Sequence, residues 1–297
     1  MKIGIIGAGK WGSALHFAFS QNPLNEVYIT SRHRRDLPHF VSLEEIMEIE
    51  YLVFVIAAQQ ARSWLEEHFI DKGQKIMIAS KGIEAGSGKF LNEVFGDFIS
   101  QERLAFLSGP SFAAEVMQGL PCALVVSAED PHLATKYADA FPDWIKAYVS
   151  DDVIGAEVCG AYKNVIAIAS GICDGLKLGN NARASLISRG LVEMDRFGRV
   201  FGAEDKTFLG LSGAGDLFLT ASSRLSRNYR VGFSLAEGKP LEMILEELGE
   251  VAEGVLTTEA VRKIAMEKEI YTPIALEVYR ILHGKDPHIS LKDLLSS

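Results

Sequence analysis

Through its first half the chain alternates short apolar runs with stretches of helical periodicity. Runs at 2–6, 26–30, 51–56, 75–79, 104–107, 122–127 and 145–149 are β-branched or aliphatic, and several are apolar at every position rather than every second one. A strand with one wet face alternates, so an unbroken run predicts a strand covered on both faces. Strand and helix repeated several times predict a doubly wound, largely parallel α/β sheet. Strand signals stop near residue 151. Helical patterns follow over 153–171, 182–201, 213–223, 229–236, 241–247, 257–267 and 273–282. The expectation is a sheet domain over 1–150 and an all-helical domain over 151–297. No Ser- or Pro-rich linker separates them, so the first long helix is expected to join the two.

Composition adds limits. At 297 residues and 48% hydrophobic, the chain has material for two cores. Its net charge of -9 and pI near 5.4 repel polyanions, which argues against nucleic acid as a partner. A small anion is not excluded, because a helix N-terminus and a few local cations outweigh distant charge within a Debye length. Cys122, Cys159 and Cys173 are odd in number and form no CxxC pair, so free thiols in a reducing cytosol are expected. There is no HExxH and no Cys/His cluster, and no metal is assigned. The apolar start at 3–8 is too short for a signal sequence, and no run is judged to approach the roughly 18 apolar residues of a membrane span. A cytoplasmic protein with no membrane insertion is expected.

Gly7-Ala8-Gly9-Lys10-Trp11-Gly12 fits G-x-G-x-x-G directly after the first predicted strand and at the start of a helix. In that setting Gly7 permits the tight turn, Gly9 lets backbone approach a pyrophosphate, and Gly12 allows helix to pack on strand. The helix N-terminus adds free N–H groups and partial positive charge for the anion. This points to a dinucleotide. Where an acid would take the ribose 2'-hydroxyl, the chain carries Ser31-Arg32-His33-Arg34-Arg35, with no carboxylate before Asp36. Arg32, with His33 beside it, suits a 2'-phosphate, so NADP(H) is favoured and NAD(H) remains open. A solvated basic turn is the plainer alternative.

Three further segments carry polar residues where composition alone would not put them. Lys81 follows a buried strand at its C-terminal edge, the side where open α/β sheets bind ligands. After Ser108-Gly109-Pro110, Ser111 is placed either to cap the next helix or to face an anion. Lys163 sits in a helix apolar nearly all round, so it must be paired, partly desolvated, or both. Desolvation favours the neutral amine that a proton-transferring lysine needs, whereas snorkelling to solvent is the structural alternative. Asp216 follows Gly213-Ala214-Gly215 at a helix start, and Ser226-Arg227-Asn228 brings a cation and two hydrogen-bonding side chains. An acid for the amine and an Arg/Asn pair for a phosphate make a set for oxidising a phosphorylated secondary alcohol.

Together these residues resemble one family, the bacterial-type NAD(P)-dependent glycerol-3-phosphate dehydrogenases. The matching runs are GAGKWG, SKGIE, SGPSFA, YKNVIAI, NARASLISRGLVEM, SGAGDLFLT, SRN and VAEG, in order along almost the whole chain. The resemblance implies an N-terminal Rossmann-type domain, an all-helical C-terminal domain, an active site in the cleft between them, and a homodimer. It implies that Lys163 accepts the proton when the C2 hydroxyl of glycerol 3-phosphate is oxidised, with Asp216 as its catalytic partner. It also implies that Lys81, Gly109, Ser111, Asp216, Ser226, Arg227 and Asn228 line the substrate. Trp11, Arg32, His33, Lys81, Ala113, Arg227, Val251 and Glu253 would contact the cofactor, beside the Gly7, Gly9, Lys10 and Gly12 of the turn. Reduction of dihydroxyacetone phosphate for phospholipid synthesis is the implied role.

Two alternatives stand beside this one. A 3-hydroxyacid dehydrogenase or ketopantoate reductase of the same two-domain plan would need a carboxylate site, against which Ser226-Arg227-Asn228 argues. A non-enzymatic NADP(H) sensor would be expected to have lost Lys163 or Asp216, and both are present.

Overall fold

The computed structural model of the chain describes residues 1–249 and 252–296. The chain divides into two compact units, one of Met1–Lys81 and Phe90–Ala156, the other of Gly82–Lys89 and Glu157–Ser297.

The first unit holds a 7-stranded sheet of β1 (Lys2–Ile6), β2 (Glu26–Thr30), β3 (Tyr51–Phe54), β4 (Lys75–Ile78), β5 (Leu104–Ser108), β6 (Cys122–Ser127) and β7 (Ile145–Ser150), ordered β2-β1-β3-β4-β5-β6-β7. Its helices are α1 (Lys10–Ser20), α2 (Leu43–Ile46), α3 (Ala61–His68), α4 (Leu91–Gly96), α5 (Ala113–Val116) and α6 (Pro131–Ala138). The unbroken apolar runs have the expected cause. In β3, Val53 enters one core with Leu15, Phe19 and Tyr137, while its neighbours Leu52 and Phe54 enter the other with Ile46, Leu65 and Phe95. Both faces are therefore covered by helices, and each fully buried Leu, Ile or Phe contributes about 1.5–3 kcal/mol before the entropy of ordering it. Strands β1 to β5 are parallel, but β6 runs antiparallel to β5 and carries β7 with it. Strand direction leaves no trace in a run that is apolar throughout, so this reversal was not legible in the pattern.

Helix α7 (Val153–Gly175) begins in the residues of the first unit and continues into the second. The second unit adds α8 (Gly179–Arg199), α9 (Asp205–Leu209), a π turn (Leu211–Gly215), α10 (Asp216–Ala221), α11 (Arg227–Ala236), α12 (Leu241–Leu248), α13 (Glu253–Glu267), α14 (Pro273–Leu282) and α15 (Pro287–Ser296). α7 is long and apolar enough to cross a membrane, which corrects the expectation that no run approaches a span, but most of it is buried inside the protein. Val158, Ala161, Val165, Ile166 and Ile168 are wholly inaccessible. Helix α11 crosses it at backbone distance: a Cβ on Gly171 would lie 2.0 Å from the Tyr229 carbonyl oxygen, and one on Gly232 1.9 Å from that of Ile168. On α8, the buried Glu193 accepts from the Tyr162 hydroxyl and from the backbone N–H groups of Ile274 and Ala275, each at 2.8 Å. It thereby caps α14 from another helix, satisfying donors that a helix start leaves open. Helix α15 was not among the helices expected from the sequence. Lys285 ties it down by pairing with Asp293 at 2.6 Å and with Glu277 of α14 at 2.5 Å.

Candidate active site

In the first unit the glycine turn joins β1 to α1, and its three glycines have three different reasons. Gly7 holds φ +113°, a region that penalises any Cβ. Gly12 carries α1 so close to the turn that a Cβ would lie 1.8 Å from the Gly7 carbonyl oxygen. Gly9 has ordinary extended backbone, and a Cβ there would meet no atom within 4 Å. Neither conformation nor packing demands glycine at that position. What remains is the approach of a ligand to the start of α1, whose N-cap is Gly9 and has no side-chain cap. A pyrophosphate fits that opening. Lys10 opens α1 on the exposed side, and Trp11 is half-buried against the first core.

Arg32 and His33 follow β2 and are exposed, with Arg32 Nε donating to His33 Nε2 at 3.3 Å. At the C-terminal ends of β4 and β5, Lys81 Nζ and Ser111 Oγ both donate to the Gly109 carbonyl oxygen, at 3.5 and 3.3 Å. Gly109 has φ +106°, which turns that carbonyl toward them. Ser111 is not a helix cap: α5 has Phe112 at its N-cap position and Ala113 as its first residue. That removes one of its two sequence readings.

The second unit contains the other group. Lys163 Nζ, from α7, donates to Asp216 Oδ1 at 2.5 Å and to Thr220 Oγ1 at 3.2 Å. The side chains of Lys163 and Asp216 are 9% and 2% exposed, so the amine does not snorkel. An ammonium this deep would be costly alone, and the carboxylate supplies its counter-charge. Asp216 is the first residue of α10, and Thr220 stands four residues on, on the same helix face. Thr220 Oγ1 also donates toward Asp216 Oδ1 at 3.3 Å. The sequence reading missed this threonine, although the i, i+4 spacing in Asp216-Leu217-Phe218-Leu219-Thr220 was its available signal.

Ser226, Arg227 and Asn228 open α11. Ser226 Oγ caps the helix by accepting from the Tyr229 N–H at 3.3 Å. Arg227 is exposed and Asn228 buried, its Oδ1 accepting from the Gly254 N–H at 3.0 Å. Glu253 is the first residue of α13, whereas Val251 lies outside the described residues. Below α11's first turn, Asp174 accepts from Arg183 and from the Tyr229 hydroxyl, and burial with that carboxylate holds Tyr229 up at about 12. Tyr229 is therefore a fixed donor that anchors α11 to the end of α7.

Comparison with known proteins points to one family. Family models for the NAD-dependent glycerol-3-phosphate dehydrogenase N-terminus and C-terminus match residues 34–134 and 152–292. The chain is 66% identical to a glycerol-3-phosphate dehydrogenase [NAD(P)+] of a Nitratiruptor species, over 99% of this chain and 98% of that one. It is 62% identical to the enzyme of the same name from Campylobacter lari, over 100% and 98%. Among solved structures, glycerol-3-phosphate dehydrogenase from Coxiella burnetii matches with a TM-score of 0.91 and 33% identity, covering 100% of this chain and 99% of that one. These likenesses remove the hydroxyacid-reductase and sensor alternatives.

Proposed function

Because this chain belongs to the NAD-dependent glycerol-3-phosphate dehydrogenase family and interconverts glycerol 3-phosphate and dihydroxyacetone phosphate with NAD(P), we propose that Lys163 is the group that moves the proton. The observation that carries this is the buried pair of Lys163 with Asp216 at 2.5 Å. In the reducing direction the Lys163 ammonium gives a proton to the C2 carbonyl oxygen, while the hydride to C2 would come from NAD(P)H when bound. The products are the secondary alcohol and a neutral amine, which regains its proton from water. Asp216 stabilises the ammonium form and aims it, and Thr220 fixes the pair. In the oxidising direction the neutral amine takes the hydroxyl proton.

Ser226, Arg227 and Asn228 hold the substrate phosphate at the start of α11, where the first-turn N–H groups and the Arg227 guanidinium favour an anion. The family resemblance adds Lys81, Gly109 and Ser111 to the substrate-lining set. The glycine turn with Lys10 and Trp11, together with Ala113, Val251 and Glu253, holds the nucleotide. Arg32 and His33 favour NADP(H) through its 2'-phosphate, since no carboxylate stands there before Asp36. The enzyme works as a homodimer in the cytoplasm and runs toward glycerol 3-phosphate for phospholipid synthesis.

Loss of reduced-nicotinamide absorbance with dihydroxyacetone phosphate tests the proton role. Lys163→Ala should lower kcat by a factor on the order of 10² or more while the nucleotide Kd stays within about twofold. Unaltered turnover would remove Lys163 from the chemistry.

A further inference from the structure

We propose that Gly254 is a positioning residue for the substrate phosphate, acting by fixing the orientation of the Asn228 amide; this rests on the reading of Ser226, Arg227 and Asn228 as the phosphate site. Asn228 is 8% exposed, and its Oδ1 accepts from the Gly254 backbone N–H at 3.0 Å. An N–H can point only at the oxygen of an amide, so the flip of Asn228 is decided by that one bond. Its Nδ2 keeps two donors, and among the described residues nothing accepts from them. Donors are what a phosphate oxygen needs; the opposite flip would present it with a carbonyl.

Gly254 is the second residue of α13, and its N–H is one of those a helix start leaves open. It is not there for an unusual backbone angle, since its φ lies outside the left-handed region. It is there for space. A Cβ would lie 2.6 Å from Asn228 Oδ1, 2.9 Å from Asn228 Cγ and 3.0 Å from the Asn164 carbonyl oxygen. Asn164 is the neighbour of Lys163 on α7, and Asn228 belongs to α11. The backbone at Gly254 thus touches both the helix of the proton-handling amine and the helix of the phosphate donors. Any side chain would push one of them away and bend the amide off its bond.

The test compares kcat/KM for dihydroxyacetone phosphate with kcat/KM for phosphate-free dihydroxyacetone, in the full-length enzyme and in Gly254→Ala, Asn228→Ala and the double variant. A phosphate-positioning role predicts that Gly254→Ala lowers the ratio of the two about tenfold or more, mainly through KM for the phosphorylated ketone. It also predicts that the double variant is no worse than Asn228→Ala, because both changes break the same link. Equal losses on both substrates would make Gly254 merely structural, and a double variant that multiplies the two effects would show that it acts through something else. Either result overturns the proposal. If Asn228→Ala itself leaves the ratio unchanged, the phosphate reading of α11 is what fails. Should Gly254→Ala not fold, Asn228→Asp decides, since it keeps an acceptor for Gly254 and puts an oxygen where the NH2 stands. A ratio below that of Asn228→Ala supports the fixed amide, and an equal or higher ratio overturns it.

Discussion

The glycine turn of the sheet unit and the buried pair of the helical unit are built in opposite ways. In the sheet unit the glycine turn is shaped by what is missing: Gly7 takes a left-handed backbone angle, Gly12 lets α1 approach, and Gly9 leaves open space. In the helical unit the site works by what is buried: an ammonium, a carboxylate and a hydroxyl held in apolar surroundings by α7 and α10. A turn of the first kind is local and survives as a short motif. A cluster of the second kind joins residues 53 positions apart and depends on the packing of every helix around it.

This contrast sets how each half should break, and the largest effect belongs to the helical unit. Asp216→Ala strands the Lys163 charge in the interior and should cost about 3–5 kcal/mol, seen as a lowered Tm together with lost turnover. A Tm equal to the native value would mean that Lys163 reaches water by another route, and the buried-pair account would fail. Gly9→Val should do the reverse. Its Cβ meets nothing within 4 Å, so Tm should fall little, by no more than the poorer helix cap costs, while the nucleotide Kd rises on the order of tenfold or more if the new side chain fills the proposed pyrophosphate position. Equal nucleotide binding by the variant would make Gly9 a bystander. Smaller still, Arg32→Asp should move the NADPH to NADH preference several-fold toward NADH, with an unchanged ratio showing that Arg32 reads nothing.

The smallest effect should come from a surface pair of the sheet unit. The Arg103 guanidinium lies against Asp71 at 2.6 Å and holds that carboxyl down to about 2, from 3.8. A depressed carboxyl contributes stability above its unfolded value of 3.8, and loses it as pH falls toward about 2. Asp71 is 43% exposed, so solvent screening limits the pair to about 0–1 kcal/mol. Asp71→Asn should therefore shift the urea midpoint slightly at neutral pH and by progressively less as pH falls from 3.8 toward about 2. A shift of the same size at both would assign the effect to something other than charge.

Legibility followed the range of the interaction responsible. The central strands could be placed to within a residue or two because burial on both faces, as in β3 and β5, writes itself into the run. The strands expected at 122–127 and 145–149 are present as Cys122–Ser127 and Ile145–Ser150, but the reversal of β6 against β5 was not legible, since a strand's residue pattern does not record its direction. Helix α13 starts at Glu253, earlier than its apolar pattern, because Asn228 on another helix receives its second N–H. Thr220 was passed over because a threonine in a helix has a dozen uses, and only the approach of Lys163 selects one.

The amino-acid order alone determined the two-part architecture, the glycine turn after β1 and the oddity of a lysine in an apolar helix, because each is a property of neighbouring residues. Only the tertiary structure decided that Lys163 is paired with Asp216 and Thr220, that Ser111 is no cap, and that the Gly254 N–H donates to Asn228 Oδ1. Those facts are made by separate helices meeting, and burial turns each meeting into an obligation: a charge or a donor cut off from water must find its partner within the protein.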